Sequence, residues 1–348
     1  MEMLTNSMLL GTDLWTIIIN GFGKWLVNYG WAIIVFTICL KLVLSPLDVL
    51  QRTASQKQTK VMAIMQPELN ALQQKYGNDK DKLNSETAKL YKKYNVSMGG
   101  MCFSLLITMI ISVVVFFTLY GSLRSFGNDK LYSSYRELEQ AYETAFEAVR
   151  PSETSKFADL TDQEKANIEL QVEAKYDELK KQNSWLWVKN VWKGDINTSS
   201  FVEFEAYAIN QNLEGTAKEQ AQENYNIIKD MVLDGTDSQN GYYILIILCA
   251  VLSFLTQFLS AKLMNPKGQK LNTMNKVMFV VIPVTMFVLA MTSNVVFTLY
   301  VITNSLMTAI ISTIISLVVR HQNSKNNGEL VLPKKKVEVV EYSRNYKK

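Results

Sequence analysis

The sequence predicts an all-α polytopic membrane protein with five transmembrane helices, a cytoplasmic helical hairpin and a mainly helical extracellular insert. Two patterns carry this expectation. Apolar and charged residues are segregated along the 348 residues, 48% of them hydrophobic and only 20% charged. The connections between the apolar stretches also alternate in charge, as crossings of a bilayer require. Composition narrows the function. Such apolar content rules out a disordered chain. Three cysteines, none in a CxxC pair, rule out a disulfide scaffold and a zinc ribbon. With one histidine, His321, no histidine-based catalysis or multi-histidine metal site is expected, and no cofactor. A net charge of +4 is too mild for a nucleic-acid binder.

Residues 1–28 are read as an extracellular, interfacial amphipathic segment. Trp15, Ile18, Phe22 and Trp25 recur at helical spacing, opposite Thr16, Asn20 and Lys24. No basic n-region or small-residue cleavage site marks a signal peptide. Residues 29–50, 101–121 and 242–261 are each long enough to cross ~30 Å of hydrocarbon as a helix. Residues 277–319 would form one helix of ~65 Å, too long for a single crossing. Thr292-Ser293-Asn294 interrupts them, so two spans joined by a tight turn are expected.

The soluble pieces follow. Residues 51–100 read as a hairpin whose first arm presents Val61, Met65, Leu69, Leu72 and Tyr76 on one side. Its second arm presents Leu83, Thr87, Leu90 and Tyr94. Gly77-Asn78-Asp79 should turn the chain through a left-handed backbone, and Pro67 should kink or break the first arm. The insert, 122–241, should hold helices over 129–149, 161–182 and 214–232. The aromatic cluster of Trp185, Trp187 and Trp192 is either its core or a headgroup-level belt.

Lys and Arg counts orient the spans. Segment 51–100 has nine basic and four acidic residues, and the 320–348 tail eight and three. The loop 262–276 has Lys262, Lys267, Lys270 and Lys276 and no acid, whereas the insert has thirteen basic and twenty-two acidic residues. The N-terminus is therefore expected outside and the C-terminus in the cytoplasm of a bacterial cell membrane.

Polar residues inside the spans suggest a site. Lys41 lies ~13 Å from the inner end of the first span, a depth at which a charge usually faces protein or water. Thr37, Lys41 and Ser45 share one helix face. Ser104, Thr108 and Ser112 repeat the spacing in the second span, Ser253 and Gln257 in the third, and Asn304, Thr308, Ser312 and Ser316 in the fifth. Any one stripe could be helix packing. Together they suggest a wet pocket open to the cytoplasm and stopped by apolar outer halves, in which Lys41 holds an acidic client segment. No G-x-x-x-x-G-K-[ST] nucleotide loop is present.

Several stretches carry a family resemblance: Tyr29-Gly30-Trp31-Ala32-Ile33-Ile34, Leu44-Ser45-Pro46-Leu47, Met65-Gln66-Pro67-Glu68-Leu69, Gln74 to Asp79 and Lys89-Leu90-Tyr91. Cys102 with Leu105-Leu106-Ile107, Tyr242 to Leu245, and Leu299-Tyr300 with Asn304 continue it. The chain resembles the YidC-type membrane protein insertases. The resemblance implies a five-span core with a hydrophilic groove, Lys41 standing in place of a groove arginine, and Tyr300 as a further groove residue. It implies nascent membrane-protein clients, with the ribosome, the general secretion translocon and membrane lipids as further partners. The insert, after the second span, lies outside the resemblance, points to a Gram-positive-like bacterium and is expected to bind some envelope partner. Thr108, Ile110, Val301 and Ser293-Asn294-Val295-Val296 depart from the family pattern. The rival readings are a secondary transporter and a scaffold for envelope complexes.

Overall fold

The computed structural model describes residues 2–94, 98–152, 156–194, 200–233, 240–264 and 273–325. Among them are ten α-helices and one short 3-10 turn: α1 (Glu2–Leu26), α2 (Tyr29–Tyr76), α3 (Lys80–Lys93), α4 (Met98–Val149), α5 (Asp162–Asn183), α6 (Phe204–Asn210), α7 (Gly215–Val232), α8 (Tyr243–Met264), α9 (Thr273–Met291) and α10 (Val295–Lys325). Tyr29–Gln51, Tyr243–Leu263, Val295–Val318 and part of α4 are long and apolar enough to cross a membrane, and Phe279–Met291 is a shorter apolar helix. Their outward faces expose residues such as Leu42, Val43, Val280, Val284, Phe254 and Phe258. Apolar surface of this extent belongs in lipid. The chain is an all-α polytopic membrane protein.

Two helices are longer than expected. α2 has 48 residues, about 72 Å at 1.5 Å per residue, and joins the first span to the first hairpin arm without interruption. Pro67 does not break it, and neither does Pro46. A proline deprives the carbonyl four residues earlier of its donor. For Pro46 that carbonyl is Leu42's, and the Ser45 hydroxyl donates to it at 2.8 Å. α4 likewise runs 52 residues from the second span into the insert, so the expected break after 121 is absent. The helix passes through Gly127, where an added Cβ would meet the Asn294 amide at 2.2 Å. That glycine serves close packing rather than a turn.

The hairpin follows the predicted faces. Met65 and Leu90 are buried, and Val61, Leu69, Leu72, Tyr76, Leu83, Thr87 and Tyr94 are half-buried. The turn is not left-handed, since Gly77 has φ −58°. Asp79 instead caps α3, its carboxylate accepting from the Lys82 amide at 3.1 Å. Across the arms, Glu68 accepts from the Tyr94 hydroxyl at 2.6 Å and pairs with Lys93 at 3.0 Å.

The insert is built on the distal half of α4. Thr161 and Glu164 form a reciprocal capping box that starts α5. Tyr135, Leu138, Ile168, Val172, Phe201, Tyr207, Tyr225 and Ile228 close its core. Trp192 belongs to that core. It is 2% exposed, donates to Asn183 Oδ1 at 2.8 Å, and meets the rings of Tyr29 and Phe126 edge-on at 4.9 and 5.4 Å. Trp187 stays exposed and Trp185 is half-buried, so only part of the aromatic cluster belongs to the insert core.

The insert is tied to the spans on two sides. Asn28 caps α2 by accepting from the Trp31 amide, and donates to the carbonyls of Lys181 and Ser184 at 2.9 and 2.7 Å. At α10, the Val295 and Val296 amides donate to the carbonyls of Lys193 and Val191, both at 3.1 Å. The first amides of a helix have no partner within it; here the insert backbone supplies two. Asn294 adds a third, accepting from the Phe297 amide while donating to the Leu123 carbonyl. α1 packs along α2 and α4, with Trp15 and Phe22 against Phe36 and Ile19 fully buried. Trp25, expected on the same face, is exposed.

Candidate functional site

α2, α4 and α10 enclose a cavity of about 230 Å³ lined by Lys41, Leu44, Leu47, Asp48, Gln51, Ile111, Ser112, Val115, Phe116, Tyr300 and Asn304. Lys41 stands about 18 Å along α2 from Tyr29 and about 15 Å from Gln51. The cavity is thus near mid-span and extends along α2 towards the hairpin. Towards the insert, aromatic rings fill the core: Phe116 on Phe297, Tyr120 on Phe297, and Phe297 on Tyr300, with centroids 5.7, 4.9 and 6.2 Å apart. Beyond them Tyr242 is buried, its hydroxyl bonded to the Ala290 carbonyl and the Thr298 hydroxyl.

The cation of this cavity is paired. Lys41 Nζ lies 2.7 Å from an Asp48 carboxylate oxygen, with side-chain exposures of 12% and 24%. Desolvating two charges is costly, and mutual attraction offsets it only at close range. The pair links Lys41, near mid-span, to Asp48, about one turn from the end of the span, and leaves the site near neutral. Lys41, read from the sequence as the partner of a client's acid, has an acid of its own helix as partner. The signal was present in the sequence: Asp48 is seven residues after Lys41, two turns along one helix face.

Of the predicted residues, Lys41, Ser112, Tyr300 and Asn304 come together around the cavity. Ser112 is exposed, Asn304 half-buried and Tyr300 7% exposed. Others are elsewhere. Thr37 is buried and its hydroxyl donates to the Ile33 carbonyl at 2.6 Å. Ser45 is spent on the Leu42 carbonyl. Ser253 is buried and Gln257 half-buried on α8, and neither lines the cavity. Thr308 is half-buried and its carbonyl accepts from the Ser312 hydroxyl; Ser312 and Ser316 are buried among packed helices. The side chains of Ser104 and Thr108 lie outside the described residues. The additional lining residues Asp48 and Gln51 extend the polar strip of α2 by three turns from Lys41. Their signal was the i, i+7, i+10 spacing.

Residues 21–323 match the model of the family described as 60Kd inner membrane protein. The chain is similar to the membrane protein insertase YidC of Fusobacterium nucleatum, 39% identical over 108 residues, which are 31% of this chain and 49% of that protein. It is 40% identical over 102 residues to the namesake of Nitratidesulfovibrio vulgaris, covering 29% and 17% of the two chains. It is 44% identical over 96 residues to that of Syntrophus aciditrophicus, covering 28% and 16%. The matched stretches span half or less of these relatives.

Proposed function

Since the chain belongs to the 60Kd inner membrane protein family, we propose that it is a membrane protein insertase that accepts client segments into the cavity between α2, α4 and α10. The observation that carries this reading is Lys41 near mid-span, paired with Asp48 about one turn from the span's end, beside Ser112, Tyr300 and Asn304 and stopped on one side by aromatic packing. Ionisable groups at such depth cost several kcal/mol unless they face protein or water, and they mark pathways for polar cargo. An acidic client segment exchanges with Asp48 for Lys41, so its charge meets a partner halfway across and the remaining apolar barrier is shorter. No nucleotide is consumed. The client's own apolar span and the membrane potential, about 2.3 kcal/mol per charge per 100 mV, drive the transfer.

In this reading the basic hairpin, loop and tail face the cytoplasm and the acidic insert faces outward, following the positive-inside rule. Nascent membrane proteins are the clients. The hairpin and basic tail are the surfaces on which a ribosome or the general secretion translocon would be met. Reconstitution tests it: vesicles holding this protein alone should insert a small membrane protein with an acidic tail. Failure of insertion, with solute uptake instead, would mark a transporter.

A further inference from the structure

Between Ser184 and Lys189 the insert makes a tight turn, anchored at one end by the fully buried Val188. Trp185 and Val188 exchange backbone hydrogen bonds at 2.9 and 2.8 Å, leaving Leu186 and Trp187 at the tip. Leu186 is 63% and Trp187 44% exposed. Leu186 has φ +50°, a left-handed conformation that costs a leucine about 1–2 kcal/mol relative to glycine. The chain thus bears strain at a residue that buries little of itself in protein.

The surroundings of the turn identify what lies against it. The Trp185 ring covers Gly30, where an added Cβ would sit 2.5 Å from it, and meets the Trp31 ring at 5.8 Å. Trp187 abuts Gly241, immediately before α8. The tip is therefore wedged between the beginnings of two membrane-spanning helices. There Trp31, Tyr243 and Ile244 are themselves 49%, 46% and 42% exposed, so the apolar surface of the tip is continuous with that of the spans. Lys24 and Lys181 are exposed nearby, on the last turns of α1 and α5 that flank Asn28. Aromatic side chains with an apolar body favour the bilayer interface, and exposed lysines there suit anionic headgroups.

We propose that the 185–188 turn is a lipid-binding wedge: Leu186 and Trp187 enter the outer headgroup and upper acyl region of the bilayer, so that the insert is seated on the membrane as well as on α2 and α10. Occupancy by lipid accounts for the exposed apolar tip, while the left-handed φ of Leu186 belongs to the two-residue turn that presents it.

The test uses the full chain in nanodiscs of phosphatidylglycerol and phosphatidylethanolamine, one chain per disc, with Cys39, Cys102 and Cys249 replaced by alanine. A bimane label is placed by Leu186→Cys, or for reference by Ile209→Cys, another exposed apolar residue of the insert on α6. Nitroxide lipids labelled near the headgroup should quench the Leu186→Cys label severalfold more than the Ile209→Cys label, and aqueous iodide should do the reverse. Equal iodide quenching at the two positions would overturn the proposal. Protection from both quenchers at Leu186→Cys would also overturn it, because the tip would then be covered by protein. A Leu186→Gly variant relieves the backbone strain. It should keep or raise the thermal stability of the chain while weakening the retention of nitroxide lipid near a label at Trp187→Cys; lost stability with unchanged lipid quenching would assign Leu186 to the fold.

Discussion

Ser45 shows how one residue can satisfy a sequence pattern and serve another end. It shares a helix face with Thr37 and Lys41, yet its hydroxyl fills the carbonyl that Pro46 leaves without a donor. A stripe of hydroxyls at every fourth position reads the same whether they face water or bond back to their own helix. That ambiguity explains why Thr37 and Ser312 were legible as polar residues while the sequence left open whether they pack or face water. Lys41 was legible as a buried charge, and its partner was missed because Asp48 lies near the end of the span, where a carboxylate is unremarkable. The pair makes a prediction that separates fold from function. Lys41→Ala leaves Asp48 uncompensated and should cost about 3 kcal/mol, the lower end for a buried pair because part of Asp48 reaches solvent. The double change to Lys41→Ala with Asp48→Asn should regain most of the thermal stability in detergent yet remain poor at inserting an acidic-tailed client. Lys41→Arg should keep both. A double variant that inserts such clients normally would remove Lys41 from the mechanism.

At the scale of elements, the hairpin was readable because its two apolar faces keep helical period over several turns. The long helices were not, because Pro67 and the Gly127 region read as breakers and yet the helices run through both. The hairpin clasp titrates in a definite direction. The Tyr94 hydroxyl, followed by Lys93, holds the Glu68 carboxyl below the usual range, while Glu68 pushes Tyr94 up to about 12, so the phenol stays a donor. A carboxylate with a lowered value stabilises the fold above its ordinary pKa of about 4.3 and loses that contribution as pH falls through the lowered value. Hydrogen exchange of α3 should therefore accelerate in acid below the ordinary carboxylate range, and Tyr94→Phe should move the onset to higher pH. The other joint lies at α10. An added Cβ at Gly194 would meet the Ser293 carbonyl at 1.8 Å. Gly194→Ala should force the insert loop off the start of α10, weakening two capping bonds worth about 1 kcal/mol each. Faster exchange of the Val295 and Val296 amides, with α8 unaffected, is the expected result.

Across the whole molecule, the insert is a second wall of the membrane core rather than a tethered domain. It grows from α4, caps α10 and holds the start of α2, and its bonds sit above the aromatic layer that stops the cavity. These long-range joints could not be read from local pattern, since each bonds groups more than 90 residues apart in sequence. The account depends on water reaching the Lys41–Asp48 pair from the hairpin side alone. Ser112→Cys, in a chain without its native cysteines and reconstituted in oriented vesicles, tests this with a membrane-impermeant thiol reagent. Modification only when the reagent is on the hairpin side is predicted; modification from the insert side, or from neither, would contradict it.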